Sequence, residues 1–160
     1  EGVSRVVNIN VATGLDTHGA SWATDQGPRQ ERGFNVIARM IEDLKSREYQ
    51  ETGDSWFDHV TLVGFSEFTR TARLNAQGGR DHALMNGCLL AGAGIRGGQV
   101  IGRSSDVGMA PIPSNLQTGQ PDPGGELLHP EHIHRALLHD VGVDEDLLDL
   151  RVDPLSALLG

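Results

Sequence analysis

The spacing of apolar and polar residues predicts one helix between two strands in the N-terminal half of the chain. Residues 3–12 are rich in valine and isoleucine and partly alternate, which favours a strand. Residues 34–44 carry apolar side chains at helical spacing, and Pro28 suits the first turn of that helix. Residues 60–65 form a second, β-branched apolar run. A strand, a helix and a strand in this order predict a βαβ unit with a parallel sheet and a right-handed crossover.

The C-terminal half adds a strand, a long loop and a second helix. Residues 88–91 favour a third buried strand, and the glycine pair at 97–98 predicts a tight hairpin turn after it. Residues 103–128 contain four prolines and no period, which is typical of a functional lid or a disordered loop. A helix is predicted to begin at Pro130 and to be capped by Gly142. We therefore predict one α/β domain over residues 1–160, with a largely parallel sheet and helices on both faces.

Composition and charge narrow the function classes. The 160 residues suffice for one domain with a real core. A net charge of −9 argues against a general nucleic-acid or anionic-membrane surface. The single cysteine, Cys88, excludes an intrachain disulfide and a cysteine-rich zinc site, and its apolar neighbours favour a buried, inert thiol. No apolar run reaches the roughly 20 residues of a membrane span. The chain begins almost directly in strand-like sequence, so we expect that a preceding segment is missing.

Two other motifs do not predict a binding site. Residues 92–97 fit G-x-G-x-x-G after a strand, but a dinucleotide site needs a helix next, and a glycine and a Val-Ile pair follow instead. Histidines gather around the last helix, but His132 and His134 are two residues apart and would point in different directions. We expect partly exposed helix histidines there and retain only His129, at the start of the helix, as a candidate ligand.

Acids and histidines follow the predicted strands at their carboxyl ends, where a parallel sheet binds ligands. The residues are Asp16, His18, Glu67, Asp81 and His82. Carboxylates gathered without a cation would repel one another, so a divalent ion or nearby arginines must neutralise them. Two histidines beside the acids favour zinc or manganese over calcium.

A plainer interpretation of the same residues stays open. Asp16 and Asp81 would then cap turns, and Glu67 would pair with Arg70 or Arg73.

A set of ordered motifs resembles one bacterial family, the domain of unknown function fifteen-oh-one, which is similar to the alkaline phosphatases and sulfatases. The matching segments are Gly14-Leu15-Asp16-Thr17-His18, Ser66-Glu67-Phe68-Thr69-Arg70-Thr71, Asn75, Gly79-Arg80-Asp81-His82, residues 90–98, and Val141-Gly142-Val143-Asp144. The chain departs from the family pattern at four positions, none of them a candidate ligand: Leu15, Thr69, Ala72 and Ala93.

The resemblance implies an α/β/α sandwich like that of alkaline phosphatase, of which this chain would be the C-terminal part. It further implies a metal-dependent hydrolase of phosphate or sulfate esters, with Asp81-His82 as paired ligands and Asp16 with His18 as another pair. The arginines Arg70, Arg73 and Arg80 would hold the anion bidentately or, alternatively, pair with Glu67 and Asp81 at the surface. No nucleophile is identified in this sequence.

The resemblance also implies partners and a location. The missing N-terminal part of the same protein, or a complementary chain, would complete the site, so we expect the isolated chain to bind metal weakly and to be catalytically silent. A periplasmic or envelope location is implied by the family alone. The alternative function is a non-catalytic binding or assembly module that retains the fold without the chemistry.

Overall fold

The computed structural model describes residues 5–143 and 151–160. The helix predicted over residues 34–44 is present in it as α1, Gly27–Ser46. Pro28 lies in its first turn, as predicted. A single π-helical turn, Trp22–Gln26, leads directly into α1. The predicted second helix is also present, as α2, Pro130–Asp140. Its end is confirmed as well, because Gly142 has a φ of 72° and donates its N–H to the carbonyl of His139.

The chain is divided into two units. The first comprises Glu1–Trp56 and Arg70–His82, and the second comprises Phe57–Thr69 and Ala83–Gly160. Asp144, the last residue of the family pattern, lies outside the described residues, as do residues 3 and 4 of the predicted first strand. Neither helix combines the length and the apolar character that a membrane crossing requires, within the described part of the chain.

Six short strands are described: β1 (Thr61–Phe65), β2 (Thr69–Arg70), β3 (His82–Ala83), β4 (Cys88–Gly92), β5 (Arg103–Ser104) and β6 (Pro111–Ile112). They form three two-stranded sheets, β1–β4, β2–β3 and β5–β6. The β1–β4 pair is antiparallel, with Thr61 opposite Gly92 and Phe65 opposite Cys88. The prediction of a largely parallel sheet with helices on both faces, and with it the alkaline-phosphatase-like sandwich, is therefore wrong for the described residues.

The connection between β1 and β4 explains the antiparallel pairing. Parallel neighbours need a crossover that carries the chain back to the same end of the sheet, usually through a helix. Residues 66–87 contain only β2, β3 and turns, so β4 returns alongside β1 in the opposite direction. The two strands are not buried either, since Val63 and Phe65 are each 43% exposed and Leu89 is 41% exposed.

The predicted first strand is not formed. Residues 5–12 adopt no regular secondary structure, and the apolar side chains of Val6, Val7 and Ile9 are 83%, 73% and 52% exposed. Partial alternation in the sequence thus predicted a strand where the structure shows an exposed, irregular segment. Without this strand there is no βαβ unit, and the parallel sheet loses its basis.

The fully buried hydrophobic residues that are described all lie in the second unit. They are Leu116, Ala136, Leu155, Ala157 and Leu158. Ala136 lies on α2, and the last two lie on a 3₁₀ turn, Ser156–Leu158. His132 is 1% exposed and its Nδ1 lies 2.8 Å from the carbonyl oxygen of Asp153, so the expectation of partly exposed helix histidines was wrong for His132.

Residues 103–128, predicted as a lid or a disordered loop, are instead part of this packing. Leu116 belongs to the core, and Ser114, which is fully buried, bridges to both Pro121 and Glu126. The loop lacks a sequence period because turns and two-residue strands occupy it rather than one long element.

The glycine-rich segment after β4 forms a turn at Ala93–Gly94, and Ile95 then pairs with Leu159. Residues 93–129, which the structure describes throughout, contain no helix. The glycines have packing reasons: a Cβ on Gly92 would overlap the carbonyl of Val60, and one on Gly94 would overlap the carboxylate of Asp140. The predicted hairpin at 97–98 is absent, because residues 99–101 form no strand.

Candidate metal centre

Two loops of the first unit come together and carry the acidic and histidine side chains. Gly19 and Gly78 form an isolated antiparallel bridge between these loops. The Asn75 side chain adds a second contact between the loops, since its Nδ2 donates a hydrogen bond to the carbonyl of His18 at 2.9 Å. A Cβ on Gly79 would overlap the backbone of His18, so glycine is what allows this close approach.

The start of the helical segment anchors the first loop. Thr17 is 2% exposed, and its hydroxyl donates to Oε1 of Gln26 at 2.7 Å. Arg29, in the first turn of α1, donates to the carbonyl of Gly14 and pairs with Asp25 at 2.7 Å. The backbone around Asp16 and His18 is therefore held by a buried hydrogen bond from Thr17 and an exposed one from Arg29.

Asp16, His18 and His82 form what we call the Asp-His cluster. Nε2 of His18 lies 2.9 Å from Oδ1 of Asp16 and 3.0 Å from Nε2 of His82. The third side of the triangle, from Nε2 of His82 to Oδ1 of Asp16, is 3.8 Å. Among the described residues, these three side chains have donor atoms close enough together to bind one metal ion.

The donor atoms are spaced as a zinc site requires. Zinc bonds of about 2.0–2.1 Å in tetrahedral geometry separate the ligand atoms by about 3.3 Å. The three observed separations, 2.9, 3.0 and 3.8 Å, lie on both sides of that value. The side chains of Asp16, His18 and His82 are 76%, 44% and 49% exposed, so an ion has access from solvent. The residues present thus fit a divalent ion held by one carboxylate and two imidazoles.

Arg70 lies at the edge of the cluster and is the least exposed side chain there, at 11%. Its Nη2 donates to Oδ1 of Asp16 at 2.9 Å and to the carbonyl of Leu15 at 3.0 Å. Its Nη1 lies 3.2 Å from Nε2 of His18 and donates to the carbonyl of Arg80 at 3.0 Å. The hydrogen bond from Arg70, with help from the nearby charges of His18 and Arg70, lowers the pKa of Asp16 below its usual 3.8.

Asp81 lies on the other side of the His18 ring. Its Oδ1 is 3.2 Å from Nδ1 of His18 and accepts a hydrogen bond from Nδ2 of Asn75 at 2.8 Å. The bond from Asn75, followed by that from His18, lowers the pKa of Asp81 below its usual 3.8. Asp81 is therefore an ionised neighbour of His18 at neutral pH.

Four of the six predicted metal ligands are brought together: Asp16, His18, Asp81 and His82. The other two, Glu67 and His129, belong to the second unit and are not part of the Asp-His cluster. Within that unit, the ring of His129 stacks at 5.9 Å on the ring of the buried His132.

The three predicted anion-binding arginines have different surroundings. Arg70 lies against the cluster. Arg80 donates to the carbonyls of Thr71 and Ala72, and its guanidinium lies 5.0 Å from the centre of the Trp22 ring. Arg73 is exposed, and its carbonyl accepts from the hydroxyl of Thr71. Anion binding by these three residues stays a prediction.

Asn75 was given no role by sequence reasoning, yet it contacts both His18 and Asp81. Its Oδ1 also accepts from the backbone N–H groups of Gln77 and Gly79, both at 3.0 Å. The available signal was local: an asparagine three residues before a glycine pair marks a turn that the side chain can stabilise. Nothing in that pattern indicates that the free amide hydrogens reach a histidine 57 residues away.

Comparison with known protein families places the chain in a described family. The family model described as "Protein of unknown function (DUF1501)" matches residues 1–151 of the chain. No curated protein and no solved structure matches it.

Proposed function

The chain belongs to the protein family of unknown function DUF1501, and from that premise we propose that it supplies the metal-binding part of a hydrolase that acts on phosphate or sulfate esters. One observation carries this proposal: a carboxylate oxygen and two imidazole nitrogens from loops far apart in sequence lie at the mutual distances of zinc ligands. Zinc is the proposed ion, with manganese second, because both accept imidazole and carboxylate together.

In this proposal, Asp16, His18 and His82 hold the ion, which when bound would polarise an ester oxygen and stabilise charge on the transferred group. Arg70 keeps a positive charge beside the ligands, where its planar guanidinium is suited to phosphoryl or sulfuryl oxygens. Its bonds to the carbonyls of Leu15 and Arg80 hold it in that place. Substrate would thus meet a fixed cation and a fixed guanidinium side by side.

A second candidate function is a binding module that keeps the metal without catalysis. Two hydroxyls beside the cluster are engaged elsewhere: that of Thr17 is buried against Gln26, and that of Thr71 donates to the carbonyl of Arg73. Arg70 and Arg80 both direct donors at backbone carbonyls. A hydrolase would use such hydroxyls as the nucleophile and such arginines to bind the anion. Because they are engaged in hydrogen bonds within the protein, a structural role is favoured for them.

The proposal includes a partner and a location. A further segment of the same protein or a complementary chain would provide the nucleophile, and export to the periplasm or envelope follows from the family resemblance. Fractionation of cells that express the natural gene tests the location, with a cytoplasmic marker enzyme as the control.

Hydrolysis is tested with p-nitrophenyl phosphate and p-nitrophenyl sulfate, with the protein loaded with zinc or manganese. We expect release of p-nitrophenol by the natural full-length protein, loss on chelation, and loss in the His82→Ala variant. His139→Ala is the matched control, because this exposed histidine on α2 lies in the other unit. Stoichiometric metal binding without cleavage of either ester would contradict the hydrolase and favour the binding module.

A further inference from the structure

We infer that Arg80, on the loop that carries His82, binds the oxyanion of the ligand through the edge of its guanidinium that Nε and Nη2 form. The inference rests on the proposed function and names the side chain that contacts a phosphoryl or sulfuryl oxygen directly. The sequence predicted this role for Arg70, Arg73 and Arg80 without distinguishing among them. The hydrogen bonds that each guanidinium already makes now distinguish them.

Both terminal nitrogens of Arg70 are already engaged by the protein. Nη2 donates to Oδ1 of Asp16 and to the carbonyl of Leu15. Nη1 donates to the carbonyl of Arg80 and lies 3.2 Å from Nε2 of His18. An oxyanion at Arg70 would have to compete with these partners, and one of them is the carboxylate that the proposed ion needs. Arg70 therefore supplies positive charge and holds Asp16, while another donor must contact the oxyanion.

The guanidinium of Arg80 is held by one of its nitrogens and by an aromatic ring. Nη1 donates to the carbonyl of Thr71 at 2.7 Å and to that of Ala72. The guanidinium carbon lies 5.0 Å from the centre of the Trp22 ring, within the range of a cation–π interaction. A guanidinium fixed in this way loses little side-chain entropy when a ligand binds it. Arg73, by contrast, is exposed, and no hydrogen bond or ion pair in the described part of the chain fixes its guanidinium.

The remaining edge of the Arg80 guanidinium has no partner. Neither Nε nor Nη2 forms a hydrogen bond with any residue that the structure describes, and Nε is buried. Native proteins contain few buried donors without a partner, because each one destabilises the fold. The N–H groups of Nε and Nη2 are parallel and match two oxygens of one tetrahedral oxyanion. Because the residue as a whole is only partly buried, an oxyanion that binds Nη2 from solvent places its second oxygen at Nε.

The charges around Arg80 favour an anionic ligand. Residues 70–82 contain three arginines and one acid, although the chain as a whole has a net charge of −9. That acid, Asp81, faces His18 and Asn75. No carboxylate of the described residues forms an ion pair with Arg80. The positive charge of Arg80 therefore has no counter-ion within that part of the chain, and the oxyanion of a ligand would provide one.

The binding edge is tested by ¹H–¹⁵N NMR of the arginine Nε–H groups in the metal-free, full-length natural protein, while inorganic phosphate or sulfate is added. Each signal is assigned by through-bond correlation to the backbone amide of its own residue. We expect the Arg80 signal to move downfield and to saturate with each anion, because its Nε–H gains an acceptor, while the Arg73 signal stays in place. An Arg80 signal that does not move, or that moves no more than that of Arg73, would overturn the inference.

The Arg80→Lys variant tests the paired donors, since lysine keeps the charge but cannot present two parallel N–H groups. We expect the dissociation constant for phosphate, measured by isothermal titration calorimetry, to rise roughly tenfold or more, as for the loss of one charge-assisted hydrogen bond. Arg73→Lys is the matched control on the same loop and should bind phosphate as the natural sequence does. Equal weakening in the two variants would contradict the assignment to Arg80.

Neither measurement uses a metal or an ester, so the inference and the proposed function fail separately. Binding of phosphate at Arg80 by a protein that cleaves no ester would reject the proposed function alone. Cleavage of an ester by a protein whose Arg80 signal does not respond to phosphate would reject the inference alone.

Discussion

His18 is the residue on which the candidate site depends, because its ring contacts all the other members. Nε2 faces Asp16, His82 and Arg70, and Nδ1 faces Asp81. The sequence predicted that Asp16, His18, Glu67, Asp81 and His82 would converge. All of them except Glu67 lie in one unit. The sequence did not separate the roles of Asp16 and Asp81, since the ring nitrogen that each one faces depends on the ring orientation.

The two acids predict a pH dependence of stability. The pKa of Asp16 is lowered chiefly by Arg70, and that of Asp81 chiefly by Asn75. Groups with a depressed pKa stabilise the folded state above their ordinary pKa of 3.8, and this contribution is lost as the pH falls through the lowered values. Urea unfolding at pH 5 and at lower pH should therefore show a smaller acid-induced loss of stability in Asp16→Asn than in the natural sequence. Equal losses in the two proteins would contradict this account of Asp16.

Cys88 is predicted to react slowly with alkylating reagents. Cys88 is exposed rather than buried as predicted, yet partial desolvation of its thiol raises the pKa from 9.0 to about 11. At pH 8 that shift leaves roughly a hundredfold fewer reactive thiolates. Iodoacetamide should modify the folded protein far more slowly than the urea-unfolded protein, and the rate should rise roughly tenfold per pH unit up to pH 10. Equal rates in the folded and unfolded protein at pH 8 would contradict the raised pKa.

At the scale of elements, helices were predicted well and strand pairing was not. Helical period and a proline in the first turn are local signals, and α1 and α2 both contain them. The position of β1 and most of β4 was also predicted, but pairing direction depends on the path between strands. That path contains no helix, so the antiparallel arrangement follows from the connection rather than from either strand.

Glycines of the segment after β4 should differ sharply in their tolerance of alanine. Gly92 has a φ of 100°, and a Cβ there would overlap the carbonyl of Val60, which is itself held by the N–H of Ala93 at 3.0 Å. We expect Gly92→Ala to lower the free energy of unfolding by about 2–3 kcal/mol, from backbone strain and this overlap.

Gly97→Ala is the matched control for that substitution, because no atom lies within 4 Å of a Cβ at Gly97. Its free energy of unfolding should stay within about 0.5 kcal/mol of the natural value. Urea denaturation measures both variants. If both variants lost a similar free energy of unfolding, close packing at Gly92 would not explain the need for glycine there.

At the scale of the whole molecule, the two units have different kinds of interior. The fully buried hydrophobic residues among those described lie in the second unit, whereas Thr17 and Gln26, which are polar, are buried in the first. The Asp-His cluster belongs to this first unit. The sequence did not predict this contrast. Alternation over residues 3–12 predicted a strand, whereas residues 5–12 form none and leave Val6, Val7 and Ile9 exposed. A sequence pattern reports which face could be buried but not whether a partner element covers it.

The central claim is that this chain binds a divalent ion through Asp16, His18 and His82. The most direct test is a zinc titration of the metal-free, full-length natural protein in competition with a chromophoric chelator, carried out on the natural sequence, His82→Ala and His139→Ala. We expect one zinc per chain in the natural sequence and in His139→Ala. In His82→Ala the affinity should fall by roughly 100-fold or more, since a direct ligand is lost. Absence of stoichiometric zinc in the natural sequence, or equal affinity in His82→Ala, would contradict the claim.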